Sequence, residues 1–147
     1  MRDINLENFR FSTPVYIRWN DLDPIGHVNN VYYFDYFQNG RSFYMPAASP
    51  HWDWRKNMFV IAHIECDYFA ELGIEDTNPE IKIRTTKIGT KSFDFEYLIT
   101  SKKEDKAILH CLGKSTQVLI DLSAKKSIEI PDWLKKDIES YEPAFNK

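Results

Sequence analysis

The segment from Asn30 to Met45 is aromatic on nearly every side of a helix: Val31, Phe34, Phe37, Arg41 and Tyr44 approximate one stripe, and Tyr32, Tyr33, Tyr36 and Phe43 fill much of the rest. A helix with so little polar surface has to be enclosed by the remainder of the chain. The fold must therefore supply a broad apolar wall for it to lie on. Both ends of the segment have local causes. Asn29 or Asn30 can accept a bond from a free backbone N–H as N-cap, and Pro46 has no N–H to continue the ladder. Gly40 weakens the helix interior by roughly 1 kcal/mol relative to Ala, and close packing of the backbone against a sheet would account for it.

The wall is legible as strands. From Phe9 to Trp19, Phe9, Phe11, Thr13, Val15, Ile17 and Trp19 fall on one face, and Arg10, Ser12, Tyr16 and Arg18 fall on the other. This predicts a half-buried strand. Four further strand-like runs follow the irregular stretch PAASPHWDWRKN: Met58 to Phe69, Glu80 to Ile88, Ser92 to Ser101 and Ala107 to Asp121. In the third of these, Phe93, Phe95, Tyr97 and Ile99 alternate with polar residues, giving one buried and one wet face. Ile88 to Ser92 and Ser101 to Lys106 are polar connectors of hairpin length, which makes the sheet an antiparallel meander. A short amphipathic helix carrying Trp133, Leu134, Ile138 and Tyr141 closes the chain. One aromatic helix against five antiparallel strands is a two-layer α+β arrangement.

At 147 residues the chain fits one domain, residues 1–147. Its net charge of -3 argues against a nucleic-acid partner, which needs clustered basic residues. No run approaches the roughly 18 uninterrupted apolar residues of a membrane span, and the acidic start MRDINLENFRFS lacks the apolar core of a secretion signal. A cytoplasmic protein with no membrane partner is expected. Cys66 and Cys111 lie within strand-like runs and read as small buried hydrophobes. With four His and no paired ligand spacing, no metal site is expected.

Between the first strand and the helix runs Asn20-Asp21-Leu22-Asp23-Pro24-Ile25-Gly26-His27-Val28-Asn29-Asn30. A turn feeding a helix N-terminus offers backbone N–H groups and a positive dipole end, able to stabilise an oxyanion. Asp23 stands just upstream, where a carboxylate can face the same point. Amides from Gly26 to Asn30 are the expected donors, with the side chains of His27, Asn29 and Asn30 adding to them. Gly26 allows a sharp turn and close approach to a ligand. Loops of this composition also serve purely as turns and caps, so the residues alone leave both readings open, with Asp21 on the structural side.

The string DLDPIGHVNNVYYFDYFQNGRSF resembles the signature of the hotdog-fold acyl-CoA thioesterases that include 4-hydroxybenzoyl-CoA thioesterase, with DxDxxGHVNNxxY followed by a helical Arg. The HVNN is also similar to that of plant acyl-carrier-protein thioesterases. Supporting matches are Asp67-Tyr68-Phe69, the hairpin Ile88 to Phe93, and Val118-Leu119-Ile120-Asp121 before Ile130-Pro131. The resemblance implies a hotdog fold, a long central helix wrapped by a five-stranded antiparallel sheet, and thioester hydrolysis without metal or organic cofactor, coenzyme A being part of the substrate.

The resemblance further implies that Asp23 is the catalytic carboxylate, as nucleophile or as general base, with His27 contributing to catalysis. Gly26 and Val28 match the backbone that polarises the thioester. Asn29 and Asn30 complete the HVNN at the substrate, and Tyr33, Tyr36 and Arg41 match helix positions with partly structural roles. Gly89, Lys91 and Ser92 match the hairpin that receives the pantetheine arm and nucleotide of an acyl-CoA. Gln38 and Gly40 depart from the Glu and Ala of many relatives, and Gln38 cannot accept a proton. Such proteins associate as homodimers or homotetramers with the site between subunits. Hydrolysis of an acyl-carrier-protein thioester and non-catalytic binding of acyl-CoA are the alternatives.

Overall fold

The computed structural model describes residues 3–145. In chain order it contains β1 (Phe11–Pro14), α1 (Val31–Ala48), β2 (Met58–Tyr68), β3 (Thr77–Ile88), β4 (Ser92–Lys103), β5 (Lys106–Ile120) and α2 (Asp132–Tyr141), with short 3-10 turns at Leu6–Asn8, Trp19–Asp21 and Pro143–Phe145. The strands form one five-stranded sheet in the order β1-β3-β4-β5-β2, and every pairing is antiparallel. The expected helix on a five-stranded antiparallel sheet is present.

The helix lies on the sheet along a stripe of buried residues, Tyr33, Tyr36, Phe37, Gly40, Arg41, Tyr44, Met45 and Ala48, spaced at three and four. Phe37 stacks on Tyr97 of β4, with ring centroids 4.4 Å apart. Tyr44 meets Phe11 of β1 and Phe95 of β4 edge-on. Gly40 is where the helix comes nearest to β3: a Cβ there would lie 2.8 Å from Ile83 Cδ1 and 3.1 Å from Ile81 Cδ1. Gly40 therefore has the packing reason that its cost in helix propensity demands. The opposite side of α1 is open, with Val31 and Phe43 more than half exposed. The expectation of a helix enclosed on most sides thus holds for one face only.

Several boundaries differ from the expected runs, β3 starting at Thr77 and β4 ending at Lys103, and two of the differences change the packing. The first strand is only Phe11–Pro14, since Pro14 ends the donor pattern; Val15 N–H goes to Pro79 C=O, and Trp19 turns outward into a 3-10 turn. Phe9 and Phe11 consequently pack in different places. Phe11 joins the core under α1, whereas Phe9 sits with Leu98 and Leu112, against Ile4, Leu6 and Leu109. At its other end α1 runs through Pro46 to Ala48. Pro46 cannot donate to Ser42 C=O, and the indole Nε1–H of Trp54 takes that acceptor at 3.2 Å. A side chain from the following loop satisfies the carbonyl that the proline leaves free.

The last helix closes one end of the core. Leu134 and Ile138 are fully buried, Asp137 accepts from Ser49 Oγ at 2.7 Å and lies 2.9 Å from His51 Nδ1, and buried Glu142 accepts from Tyr44 OH and from Thr85 N–H. Trp52 is part of the core, in contact with Trp54 and Phe59, which makes it a packing residue. Cys111 is buried as expected, whereas Cys66 is only half-buried against the same core.

Candidate active site

The loop between β1 and α1 is held by its own side chains. Asp21, 1% exposed, accepts from Tyr36 OH at 2.6 Å, from Arg18 N–H at 3.1 Å and from Arg18 Nε at 3.0 Å. Burial opposes its ionisation, but the hydrogen bonds from Tyr36 and Arg18 together outweigh that and hold the carboxyl below its ordinary range. Asp21 is structural, through Arg18 and Tyr36.

A folded-state value below the unfolded one means that the stability Asp21 contributes is present above the ordinary carboxylate range and is lost as pH falls through the depressed value. Tyr36→Phe removes a donor and raises that folded value. The variant should lose about 1.5–3 kcal/mol near neutrality and should begin its acid destabilisation at a higher pH than the wild type, as read from thermal midpoints across an acid pH series.

Asp23 makes a tight turn of the following residues. Its Oδ1 accepts from Ile25 N–H at 2.9 Å and His27 N–H at 3.1 Å, and its C=O accepts from Gly26 N–H at 3.0 Å. Gly26 has φ +86°, the left-handed conformation that side-chain-bearing residues avoid. A Cβ there would meet nothing within 4 Å, so the backbone and not space requires glycine. Asp23 Oδ2 takes no hydrogen bond from the described residues. It belongs to a residue lining a cleft of about 550 Å³ walled by His27, Val28, Asn29, Asn30, Tyr33, Tyr68 and the segment 69–71.

The donors at the helix start are fewer than the sequence predicts. Gly26 N–H and His27 N–H serve Asp23, Val28 N–H serves Leu72 C=O at 2.7 Å, and Asn29 N–H serves Asp21 C=O at 2.8 Å. The expectation of free amides from Gly26 to Asn30 is corrected by these bonds for Gly26 to Asn29: three of them close the loop on itself, and the Val28 bond pins it to the segment after β2. Asn30 N–H has no partner among the described residues, and Val31 N–H has only a long 3.4 Å bond to Asn29 Oδ1. These two amides stand at the first turn of α1, where the positive end of the helix dipole acts. The side chain of Asn29 caps the helix in place of Asn30, whose C=O accepts from Tyr68 OH at 3.0 Å.

The sequence reading had no means of finding Glu71. His27 Nε2 lies 3.1 Å from Glu71 Oε2, and His27 bridges Gly73 through the backbone, so the imidazole is oriented by the segment after β2. Tyr33 and Tyr68 meet edge-on at 4.8 Å and give the cleft an aromatic wall. Burial, the largest cause, pushes both phenols well above their ordinary range, so both are neutral donors.

Asp23, His27, Asn29, Asn30 and Tyr33 are thus brought together, with Val28 lining the same cleft. Gly89, Lys91 and Ser92 are elsewhere in this chain. Ser92 aligns through Val118 with Val60, whereas Tyr68 of the cleft aligns with Cys111, which separates the two ends of β2 by roughly 26 Å at ~3.3 Å per residue. Gly89 N–H donates to Ser92 C=O at 2.7 Å, closing a tight hairpin.

A helix lying on a five-stranded antiparallel sheet, with an acidic loop leading into its N-terminus, defines a protein of the hotdog class. The chain belongs to the thioesterase-like superfamily, whose family model matches residues 17–138. A thioesterase of Thermus thermophilus, solved with coenzyme A and Zn, is 29% identical, covers 93% of this chain and 97% of its own, and superposes with a TM-score of 0.78. A mutant 4-hydroxybenzoyl-CoA thioesterase solved with 4-hydroxybenzoyl-CoA is 14% identical, covers 87% and 97%, and gives a TM-score of 0.79, a likeness of fold. The uncharacterized protein YsmA of Bacillus subtilis (strain 168) is 30% identical over 91 residues, 62% of this chain and 61% of its own length. No helix of the described residues is long and apolar enough to cross a membrane.

Proposed function

We propose that the protein is a cytoplasmic acyl-CoA thioesterase in which Asp23 carries the reaction without metal or organic cofactor. The observation that supports this most is the asymmetric setting of the Asp23 carboxylate. One oxygen is tied down by the Ile25 and His27 amides, and the other takes no hydrogen bond from the described residues, on a side chain that lines the same cleft as the first turn of α1. A thioester seated there has its carbonyl oxygen toward Asn30 N–H and Val31 N–H, and its carbon toward Asp23 Oδ2. Attack by that oxygen, or by a water it deprotonates, pushes electrons onto the carbonyl oxygen, where the helix end stabilises them. Collapse breaks the C–S bond and releases the coenzyme A thiolate, leaving the free acid where water attacked, or an acyl–Asp23 anhydride that a water then hydrolyses to the free acid where Oδ2 attacked. In this reading His27, whose Nε2 is held by Glu71, supplies a proton to the departing sulfur. Tyr33 and Tyr68 screen the reacting group from water.

The site is completed by a second copy of the chain. β2 is an edge strand of eleven residues, largely exposed and carrying Val60 and Ile61 at 47% and 38% exposure. A long apolar edge of this kind is normally covered. Two-fold antiparallel pairing of β2 with itself sets the Met58 end of one strand beside the Tyr68 end of the other. The Gly89 to Ser92 hairpin then comes to the end of the sheet at which the partner's cleft opens, where Lys91 can meet the phosphates of coenzyme A. A homodimer, or a tetramer built from two of them, follows.

Free-thiol release from a panel of acyl-CoAs and from a matching acyl-carrier protein, with the mass in solution measured by light scattering, tests the reading. Turnover of coenzyme A thioesters by a dimer or tetramer is expected. Preference for the carrier protein would favour the first alternative, and affinity without thiol release would favour a binding protein.

A further inference from the structure

The guanidinium of Arg41 is a buried cation without a counter-ion. Arg41 is 7% exposed, makes no salt bridge among the described residues, and is hydrogen-bonded only through Nη1, which donates to Tyr97 OH at 3.1 Å. Tyr97 OH lies 2.6 Å from Ser115 Oγ, Ser115 donates to Gln117 Oε1, and Gln117 Nε2 donates to Phe93 C=O at 3.0 Å. This relay of neutral dipoles ends on a carbonyl, and no carboxylate takes part in it. The remaining nitrogens of Arg41 are absent from the fully buried unpaired atoms of the described residues, so they reach open space. That space is a groove of about 380 Å³ whose walls are Trp54, Met58, Phe59 and Ile61, with Gln38 and Ser42 on the helix side. A buried charge that lacks a partner is costly, and a planar guanidinium presents paired donors that match a carboxylate.

We propose that this groove binds a carboxylate on an apolar stem, Arg41 holding the carboxylate and the Trp54 and Phe59 wall taking the stem. In the two-fold arrangement the groove, at the Met58 end of β2, faces the Asp23 cleft of the second copy. The assignment of the ligand to the reaction, though not the binding itself, rests on that reading. The carboxylate is then either the distal group of a dicarboxylic acyl chain or that of the released acid. Gln38, one turn before Arg41, is neutral and leaves the charge available.

Calorimetric titration with octanoate and with 1-octanol separates charge from apolar burial. Wild-type protein should bind octanoate at least about tenfold more tightly than the alcohol, the size of a charge-assisted hydrogen bond. Gln38→Glu, which sets a carboxylate beside Arg41 on an exposed position, should abolish that preference with an unchanged thermal midpoint, and Arg41→Gln should do the same where it folds. Equal affinity for the two probes, or a preference that survives Gln38→Glu, overturns the site. Octanedioyl-CoA and octanoyl-CoA distinguish the sources: a higher kcat/KM for the former marks a distal carboxylate, whereas similar values with competitive inhibition by octanoate mark the product. Binding of octanoate without any thiol release would contradict the thioesterase reading and leave the groove standing.

Discussion

Asp23→Asn should lower acyl-CoA hydrolysis by about 10³-fold, the scale expected of a group acting on the reacting atoms, and should leave the thermal midpoint within a degree or two of wild type. The two halves of that result have separate causes. Asparagine Oδ1 still accepts from the Ile25 and His27 amides, so the turn that positions the loop survives. The oxygen left without a hydrogen bond becomes an amide nitrogen, which neither attacks a carbonyl nor takes a proton from water. The loss should appear in kcat with little change in KM, since the side chain makes its contribution in the transition state. A rise in KM with kcat preserved would assign Asp23 to binding.

Phe37→Ala should cost about 3–5 kcal/mol, a large fraction of the stability of a domain of this size. Phe37 is fully buried, stacks on Tyr97 and meets Phe34 edge-on, and its ring lies directly over Gly113 of β5. A Cβ at Gly113 would come within 2.5 Å of the Phe37 ring. That contact is with a rigid ring and not with a flexible chain end, so Gly113→Ala should itself cost about 1–3 kcal/mol by overpacking. The two sites share one volume. Phe37→Leu with Gly113→Ala should therefore be more stable than the sum of the single changes implies, with a coupling above about 0.5 kcal/mol in denaturant titrations. Additive losses would show that the helix and β5 do not press on each other at this point.

These effects mark what the residues disclosed in advance. The order of elements was legible because Phe93, Phe95, Tyr97 and Ile99 alternate with polar residues, because short polar connectors separate the strand-like runs, and because Asn, Asp, Pro and Gly cluster between β1 and α1. Gly40 could be read as a contact point, since a glycine inside a helix needs a compensating reason. The failures in element boundaries come from neighbours outside the run itself. The alternation from Phe9 to Trp19 suits a strand, but pairing with β3 ends at Pro14, and the two ends of the run turn to different neighbours. Pro46 reads as a stop, yet the helix continues through it because the acceptor of Ser42 is taken by Trp54, a side chain from the next loop.

The candidate site shows the same division. Asp23 and the HVNN residues are contiguous, so their proximity was visible. The partners of the Val28 amide and of His27, namely Leu72 C=O and Glu71, come from the segment after β2 and carry no sequence signal of their own. The loop appeared richer in free amides than it is because the Gly26, His27 and Asn29 amides turn back onto Asp23 and Asp21, and the Val28 amide goes to Leu72. Gly89, Lys91 and Ser92 lie at the far end of β2 from the cleft, and only an assembly brings such residues to it.

The most direct measurement is a structure of the Asp23→Asn variant soaked with an acyl-CoA that the wild type hydrolyses. The thioester oxygen should lie within about 3 Å of Asn30 N–H, with the carbonyl carbon facing residue 23 and the nucleotide against Lys91 of a second copy. A thioester bound away from the start of α1, or with its carbon turned from residue 23, would contradict the account.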